Sequence, residues 1–183
     1  MRVDPIFVLV GPSASGKSTI AQMLVERQGM RRAITTTTRH QRRGEPFDAY
    51  HFVKFSEFHT EDMVEYKDYA NNRYGLTKSE ADASNLVIME PVGAQRLQVC
   101  CKEKGRQCYL IGMPVSKKEQ AERMVQRGDS ASLINERIAY DEAAFEHLAS
   151  VCTTVCKAEN VESLYKQIEE FILSHSVDRV RDS

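Results

Sequence analysis

The segment Gly11-Pro12-Ser13-Ala14-Ser15-Gly16-Lys17-Ser18 constrains this chain more than any other. It follows a continuous apolar run, Ile6-Phe7-Val8-Leu9-Val10, and precedes a stretch in which Ile20, Leu24 and Val25 fall on one helical face. Strand, glycine-rich turn and helix form the setting in which G-x4-G-K-[ST] cradles phosphate. The glycines let the backbone turn tightly and aim its N–H groups at an anion. A helix starting there adds the positive end of its dipole. The expected phosphate ligands are Gly11, Ser13, Ala14, Ser15, Gly16, Lys17, Ser18 and Thr19. Lys17 would reach the β- and γ-phosphates of a nucleoside triphosphate, and the Ser18 hydroxyl would ligate Mg2+. A bare Gly/Ser-rich surface turn would not need the flanking strand and helix. The motif names a donor and a metal ion but no acceptor.

The remaining pattern alternates short apolar runs with helical periods. Asn85-Leu86-Val87-Ile88-Met89, Gln107-Cys108-Tyr109-Leu110-Ile111 and Val151 to Val155 are further buried-strand candidates. Ser116 with Glu119 three residues on is a capping-box signature, opening a helix that stops at Gly128. Ile134, Ile138, Phe145 and Leu148 stripe another helix, and Val161, Leu164, Ile168, Phe171 and Ile172 stripe the last. Such alternation predicts an α/β fold with a parallel sheet and right-handed crossovers, flanked by helices. Residues 33–84 break the rhythm and read as an inserted mixed α/β lobe. Within it, residues 50–55 alternate like a half-exposed antiparallel strand, residues 56–62 suggest a short helix, and residues 63–69 another strand.

At 183 residues the chain fits one domain without staples, and 25 Lys+Arg against 26 Asp+Glu argue against a broadly cationic nucleic-acid binder. No apolar run approaches the roughly 20 residues of a membrane span. The start, Met1-Arg2-Val3-Asp4-Pro5-Ile6, puts an acid and a proline where a secretion signal would be apolar, so a cytoplasmic address is expected. Five cysteines without such a signal read as reduced packing residues; the C-x3-C pair Cys152 and Cys156 lacks partners for a metal site.

Thr35-Thr36-Thr37-Thr38-Arg39-His40-Gln41-Arg42-Arg43-Gly44 contains no acid, and none occurs from Met30 through Gly44. A solvated charge run would interleave acids. Arginine forks suit phosphate bidentately, so this loop is expected to be a second anion site.

With these stretches in order, the chain resembles the guanylate kinase family. The P-loop with its Gly11-Pro12-Ser13 start, the Thr37 to Glu45 stretch, Tyr50-His51-Phe52-Val53, Tyr74-Gly75, Arg127-Gly128 and Arg137 recur in that family's sequence. The resemblance implies a P-loop NTPase-type core (about 1–32, 85–127 and 138–183), a nucleoside-monophosphate lobe (about 33–84) and a helical lid (about 128–137). It implies ATP-dependent phosphoryl transfer to a nucleoside monophosphate, GMP or dGMP, with Mg2+. Carried over by match, Arg39, Arg42, Tyr50 and Tyr74 would hold the acceptor phosphate. Glu65 would read guanine N1–H and N2–H2, with the Thr35 hydroxyl beside it. Glu90 falls at the second of two family aspartates. Arg123, Arg127 and Arg137 would close over the transferring phosphoryl, with Lys17 and Arg39 completing the catalytic set.

Each of these residues also has a blander reading. Glu65 could be an outward strand carboxylate, Arg123 and Arg127 a solvated face paired with Glu119 and Glu122, and Tyr50 core packing. The chain departs from the family at Ile88-Met89-Glu90, at Leu76, where a hydroxyl is usual, and at Lys157-Ala158-Glu159-Asn160. These departures cluster around the bases and leave three functions open. One is the guanine-nucleotide kinase. Another is a same-fold kinase of a different or modified nucleotide, or of ribose 1,5-bisphosphate. The last is a non-catalytic interaction module, which would typically have lost the lysine that Lys17 retains.

Overall fold

The computed structural model describes residues 4–41, 47, 49–69 and 71–176. The chain begins with β1 (Ile6–Val10) and α1 (Lys17–Gln28), followed by short strands β2 (Thr36–Thr37) and β3 (His51–Phe52). Then come β4 (Met63–Tyr69), β5 (Asn72–Thr77), α2 (Lys78–Ala83), β6 (Leu86–Met89), α3 (Pro91–Glu103) and β7 (Cys108–Gly112). The last elements are α4 (Lys117–Gln126), α5 (Ala131–Ala144), α6 (Leu148–Val151), β8 (Thr154–Val155) and α7 (Val161–Ser176).

The core sheet runs β6-β1-β7-β8, with each of its pairings parallel. All five residues of β1 are buried because the strand is covered on both faces. Phe7 and Leu9 pack with Ile20, Leu24, Tyr165 and Ile168 of α1 and α7. Ile6, Val8 and Val10 pack on the other side with Val87, Ala94, Leu97 and Leu148. The chain leaves β1 for β6 on one side and returns through α3 to β7 on the other. The crevice beyond the C-terminal ends of these strands is therefore the topological switch point, where α/β sheets bind ligands.

The second sheet, β3-β2-β5-β4, is mixed: β2 and β5 are antiparallel, as are β4 and β5. Residues 50–55 differ from expectation. Only His51 and Phe52 form a strand, and it lies parallel to β2. Period-2 alternation reports a half-exposed strand but not the direction of its neighbour. The short helix expected at 56–62 is two 3-10 turns, Phe55–Glu57 and Thr60–Asp62. The strand expected at 151–155 is only Thr154–Val155, because Val151 ends α6. The stripe from Ile134 to Leu148 spans two helices: α5 stops at Phe145, and Leu148 opens α6. Ser116 caps α4 with the full capping box, and Gly128 follows that helix with φ 88°.

Candidate functional site

β1 delivers the chain directly into the glycine-rich turn. Gly11 is required by close approach, since a Cβ there would lie 2.5 Å from the Met113 carbonyl oxygen at the end of β7. Gly16 is the N-cap of α1 at φ 94°, with no side chain capping the first turn. The free N–H groups of that turn face the crevice, the arrangement that favours anions. Lys17 folds back over the loop, donating to the carbonyls of Gly11 (2.6 Å) and Pro12 (2.7 Å). Burial pulls its pKa down to about 8, opposed by the nearby carboxylates of Asp141 and Glu90. Ser18 and Thr19 are exposed on the first turn of α1.

Asp141 was not foreseen. It is 6% exposed and reaches from α5 to accept the Ser13 backbone N–H at 2.7 Å and the Gln120 amide at 2.5 Å. The phosphate loop is thereby tied to α4 and α5 across 128 residues of sequence. No local motif announces such a pairing; an aspartate inside a helical stripe was the only trace.

A cleft of about 480 Å3 opens beside the loop. Residues 14–19 form one wall, Arg123 and Arg127 another, and Ala158, Glu159 and Asn160 its far end. Arg123 donates to the Ala14 carbonyl at 3.0 Å and stands 3.9 Å from Glu119. Arg123 thus touches the phosphate loop and also lies near Glu119, the neighbour expected of a solvated face. Arg127 pairs with Asp129, and its guanidinium holds that carboxyl below the ordinary range, with a smaller contribution from Arg137. Two of the arginines expected in the lid, Arg127 and Arg137, thus act on one acidic residue at the α4–α5 turn, while Arg123 lies against the phosphate loop.

On the lobe side, Arg39 lies over the rings of Tyr50 (5.3 Å) and Phe52 (5.6 Å), and Tyr50 meets Tyr74 edge-on at 6.1 Å. The expected phosphate-holding trio of Arg39, Tyr50 and Tyr74 is brought together. Arg42 lies outside the described residues. The threonines are divided in role. Thr37 donates to the Arg73 carbonyl and Thr38 accepts the Arg73 N–H, so both stitch β2 to β5. Thr35 is half-buried, and its carbonyl accepts the His51 N–H.

Glu65 on β4 stands against the first turns of α3. A Cβ on Gly93 would lie 2.9 Å from the Glu65 carboxyl carbon, so that glycine makes room for the acid. Burial pushes the Glu65 pKa up, and Lys67 opposes the rise. Glu90, the N-cap residue of α3, pairs with Lys67 from β4 and accepts the Tyr140 hydroxyl of α5 at 2.8 Å. Neither Lys67 nor Tyr140 was singled out from sequence.

The five cysteines are free thiols. Burial pushes Cys152 up to about 11 and also raises Cys156, as expected of packed residues. Among the described residues no three His, Cys, Asp or Glu side chains gather as a metal site. No helix among them is long and apolar enough to cross a membrane.

This architecture has counterparts. A family model described as guanylate kinase matches residues 4–175. A guanylate kinase of Fusobacterium nucleatum is 32% identical over 150 residues, covering 75% of this chain and 80% of that protein. One from Clostridium perfringens is 31% identical over 194 aligned positions, covering 97% and 88%. The crystal structure of guanylate kinase from Anaplasma phagocytophilum superposes with a TM-score of 0.71 at 22% identity, covering 96% of this chain and 88% of that one. The structural likeness speaks for the fold, and the sequence match along almost the whole chain speaks for descent: this chain belongs to the guanylate kinase family.

Proposed function

We propose that the chain transfers the γ-phosphoryl group of ATP to GMP or dGMP, giving ADP and the guanine nucleoside diphosphate. The observation that carries this reading is the presence of two anion-suited surfaces, one on the core and one on the lobe, together with a half-buried carboxylate on the lobe strand β4. The P-loop with Lys17 lies on one side, the Arg39–Tyr50–Tyr74 group on the other, and Glu65 faces the α3 turn.

In this assignment the P-loop N–H groups and Lys17 hold the donor's β- and γ-phosphates. Arg39, Arg42, Tyr50 and Tyr74 hold the acceptor phosphate, while Glu65 and Thr35 meet the base beside Glu90. The acceptor phosphate oxygen attacks the γ-phosphorus in line as the bond to the β–γ bridging oxygen breaks. The leaving charge stays on ADP. Phosphoryl transfer of this kind is mostly positioning and charge stabilisation. Arg123, Arg127 and Arg137 supply that charge when the lid, residues 128–137, closes over the core and the lobe at 33–84. Closure also keeps water from the γ-phosphate.

Mg2+ fits the residues present. The exposed Ser18 hydroxyl adjoins Lys17 at the helix start, and Mg2+ in kinase sites is held largely by substrate phosphates and water with few protein ligands. Bound there, it would neutralise charge on the substrate phosphates. ATP and a free nucleotide as substrates support a cytoplasmic location.

The test is ADP release from Mg-ATP against GMP, dGMP, AMP, CMP, UMP, dTMP and ribose 1,5-bisphosphate, with an acceptor-free control. Turnover confined to guanine nucleotides is expected. Turnover with another acceptor and silence with GMP would refute the guanine assignment while leaving the phosphoryl-transfer chemistry.

A further inference from the structure

We propose that Lys67 is a second base-reading residue, donating its ammonium proton to O6 of the guanine whose N1–H and N2–H2 meet Glu65. This rests on the proposed guanine acceptor and goes beyond it by naming the group that reads the base's remaining polar edge.

The argument begins with the strand. Glu65 and Lys67 are two apart on β4, so they leave the same face. Their cross-strand partners are Leu76 and Tyr74, and partners directly opposite share a face. That face presents, in order, an acid and a base toward the start of α3. The two positions are fixed independently. Glu65 is placed by its contact with Gly93, and Lys67 by its ion pair with Glu90, three residues earlier on the same helix turn. Leu76, opposite Glu65, is 3% exposed and packed in the apolar cluster with Ala94 and Leu97, so it offers the base no polar atom.

Chemistry supplies the rest. A carboxylate only accepts. It can take guanine N1–H and N2–H2 but is repelled by the lone pairs of O6. An ammonium only donates. Placed beside the carboxylate, it matches O6 and cannot accept from the amino group that adenine carries at that position. The adjacent acid and base thus complement guanine's acceptor–donor–donor edge and oppose adenine's donor there. Lys67 also meets a second need. Glu65 and Glu90 face one small region with an anionic acceptor beside them; Lys67 pairs with Glu90 there and, ahead of Arg96, is the stronger cation acting on Glu65. Its side chain is 47% exposed, so it has freedom to move from Glu90 to a ligand oxygen.

The experiment compares Lys67→Met with the unmodified chain. Three acceptor nucleotides differ at the base edge: GMP, IMP (O6 and N1–H present, N2 amino absent) and 2-aminopurine riboside monophosphate (N2 amino present, O6 and the N1 proton absent). The 2-aminopurine nucleotide is followed by its own fluorescence, and the other two compete against it. A hydrogen bond to a charged donor predicts that Lys67→Met weakens GMP and IMP by about ten- to a hundredfold each. The 2-aminopurine nucleotide should change by less than about threefold, a few tenths of the energy of one such bond. Equal weakening of all three would make Lys67 a general charge or packing residue and overturn the assignment, as would no weakening of GMP. An unmodified chain that binds GMP no better than CMP would instead refute the guanine reading itself.

Discussion

Asp141 offers the sharpest test of how the phosphate loop is held. In Asp141→Ala, two donors lose their acceptor: the Ser13 N–H at 2.7 Å and the Gln120 amide at 2.5 Å. Gln120 is itself only 3% exposed, so water does not readily replace the carboxylate on its side. An orphaned buried donor costs about 1–3 kcal/mol. Two of them, less the relief of no longer burying a charge, give a loss of about 3 kcal/mol. For a chain of 183 residues, each kcal/mol lowers Tm by about 2–4 °C, so a fall of about 6–12 °C is expected in calorimetry. Ser13 and Gln120 donate to the same carboxylate oxygen, so Asp141→Asn, with its amide oxygen at that position, keeps both acceptor contacts and its loss should stay under about 1 kcal/mol. The asparagine removes the charge, however. Asp141 is the largest influence holding up the Lys17 pKa, so that pKa should fall below its value of about 8. The alkaline limb of kcat/KM for ATP, which reports free-enzyme groups, should move to lower pH in Asp141→Asn. An Asp141→Ala protein as stable as the unmodified chain, together with an unmoved limb in Asp141→Asn, would refute the idea that this carboxylate braces the loop and charges its lysine.

Three further outcomes follow from the same geometry. Lys17→Ala should cut turnover by about a hundredfold or more without lowering Tm; a near-normal rate would remove the P-loop lysine from the chemistry. The sign of its stability effect is also fixed: its folded pKa of about 8 lies below the ordinary 10.5, so folding sheds this proton more readily. Its contribution to stability should therefore rise with pH between those values, which urea titrations across that window would reveal. Glu65→Gln should penalise GMP and dGMP selectively, by about tenfold or more in kcat/KM, since the amide offers an oxygen to only one of guanine's two parallel N–H groups and opposes the other with its own NH2; equal losses for every acceptor would remove Glu65 from base reading. Gly93→Ala places a Cβ 2.9 Å from the Glu65 carboxyl carbon, so GMP kcat/KM should drop while the KM for ATP holds; an unchanged GMP constant would show that Glu65 can shift without consequence.

The parts of the fold written locally were legible in sequence. The P-loop, its strand and its helix are contiguous, and β1 reads as buried because every residue in it is apolar. The capping box at Ser116 and Glu119 needs four neighbouring residues and formed as expected. What escaped depends on partners far apart in the chain. The parallel direction of His51–Phe52 is set by β2, fourteen or more residues earlier. Asp141 becomes part of the phosphate site only when α5 packs beside the loop, and Lys67 becomes a site residue only when β4 crosses the start of α3. Helical spacing continued through Phe145 and Leu148, but periodicity does not register a chain that stops and restarts between them.

Glu90 is held from two directions, by Lys67 on the lobe strand β4 and by Tyr140 on α5, whose first half is the proposed lid. Because it caps α3 at the end of β6, it is a fixed point against which the other two elements are measured. A displacement of β4 toward a ligand or of α5 over the cleft must loosen one of its contacts. Occupancy on one side of the crevice is then felt on the other, and linkage makes that influence reciprocal: whatever factor the donor imposes on acceptor affinity, the acceptor returns.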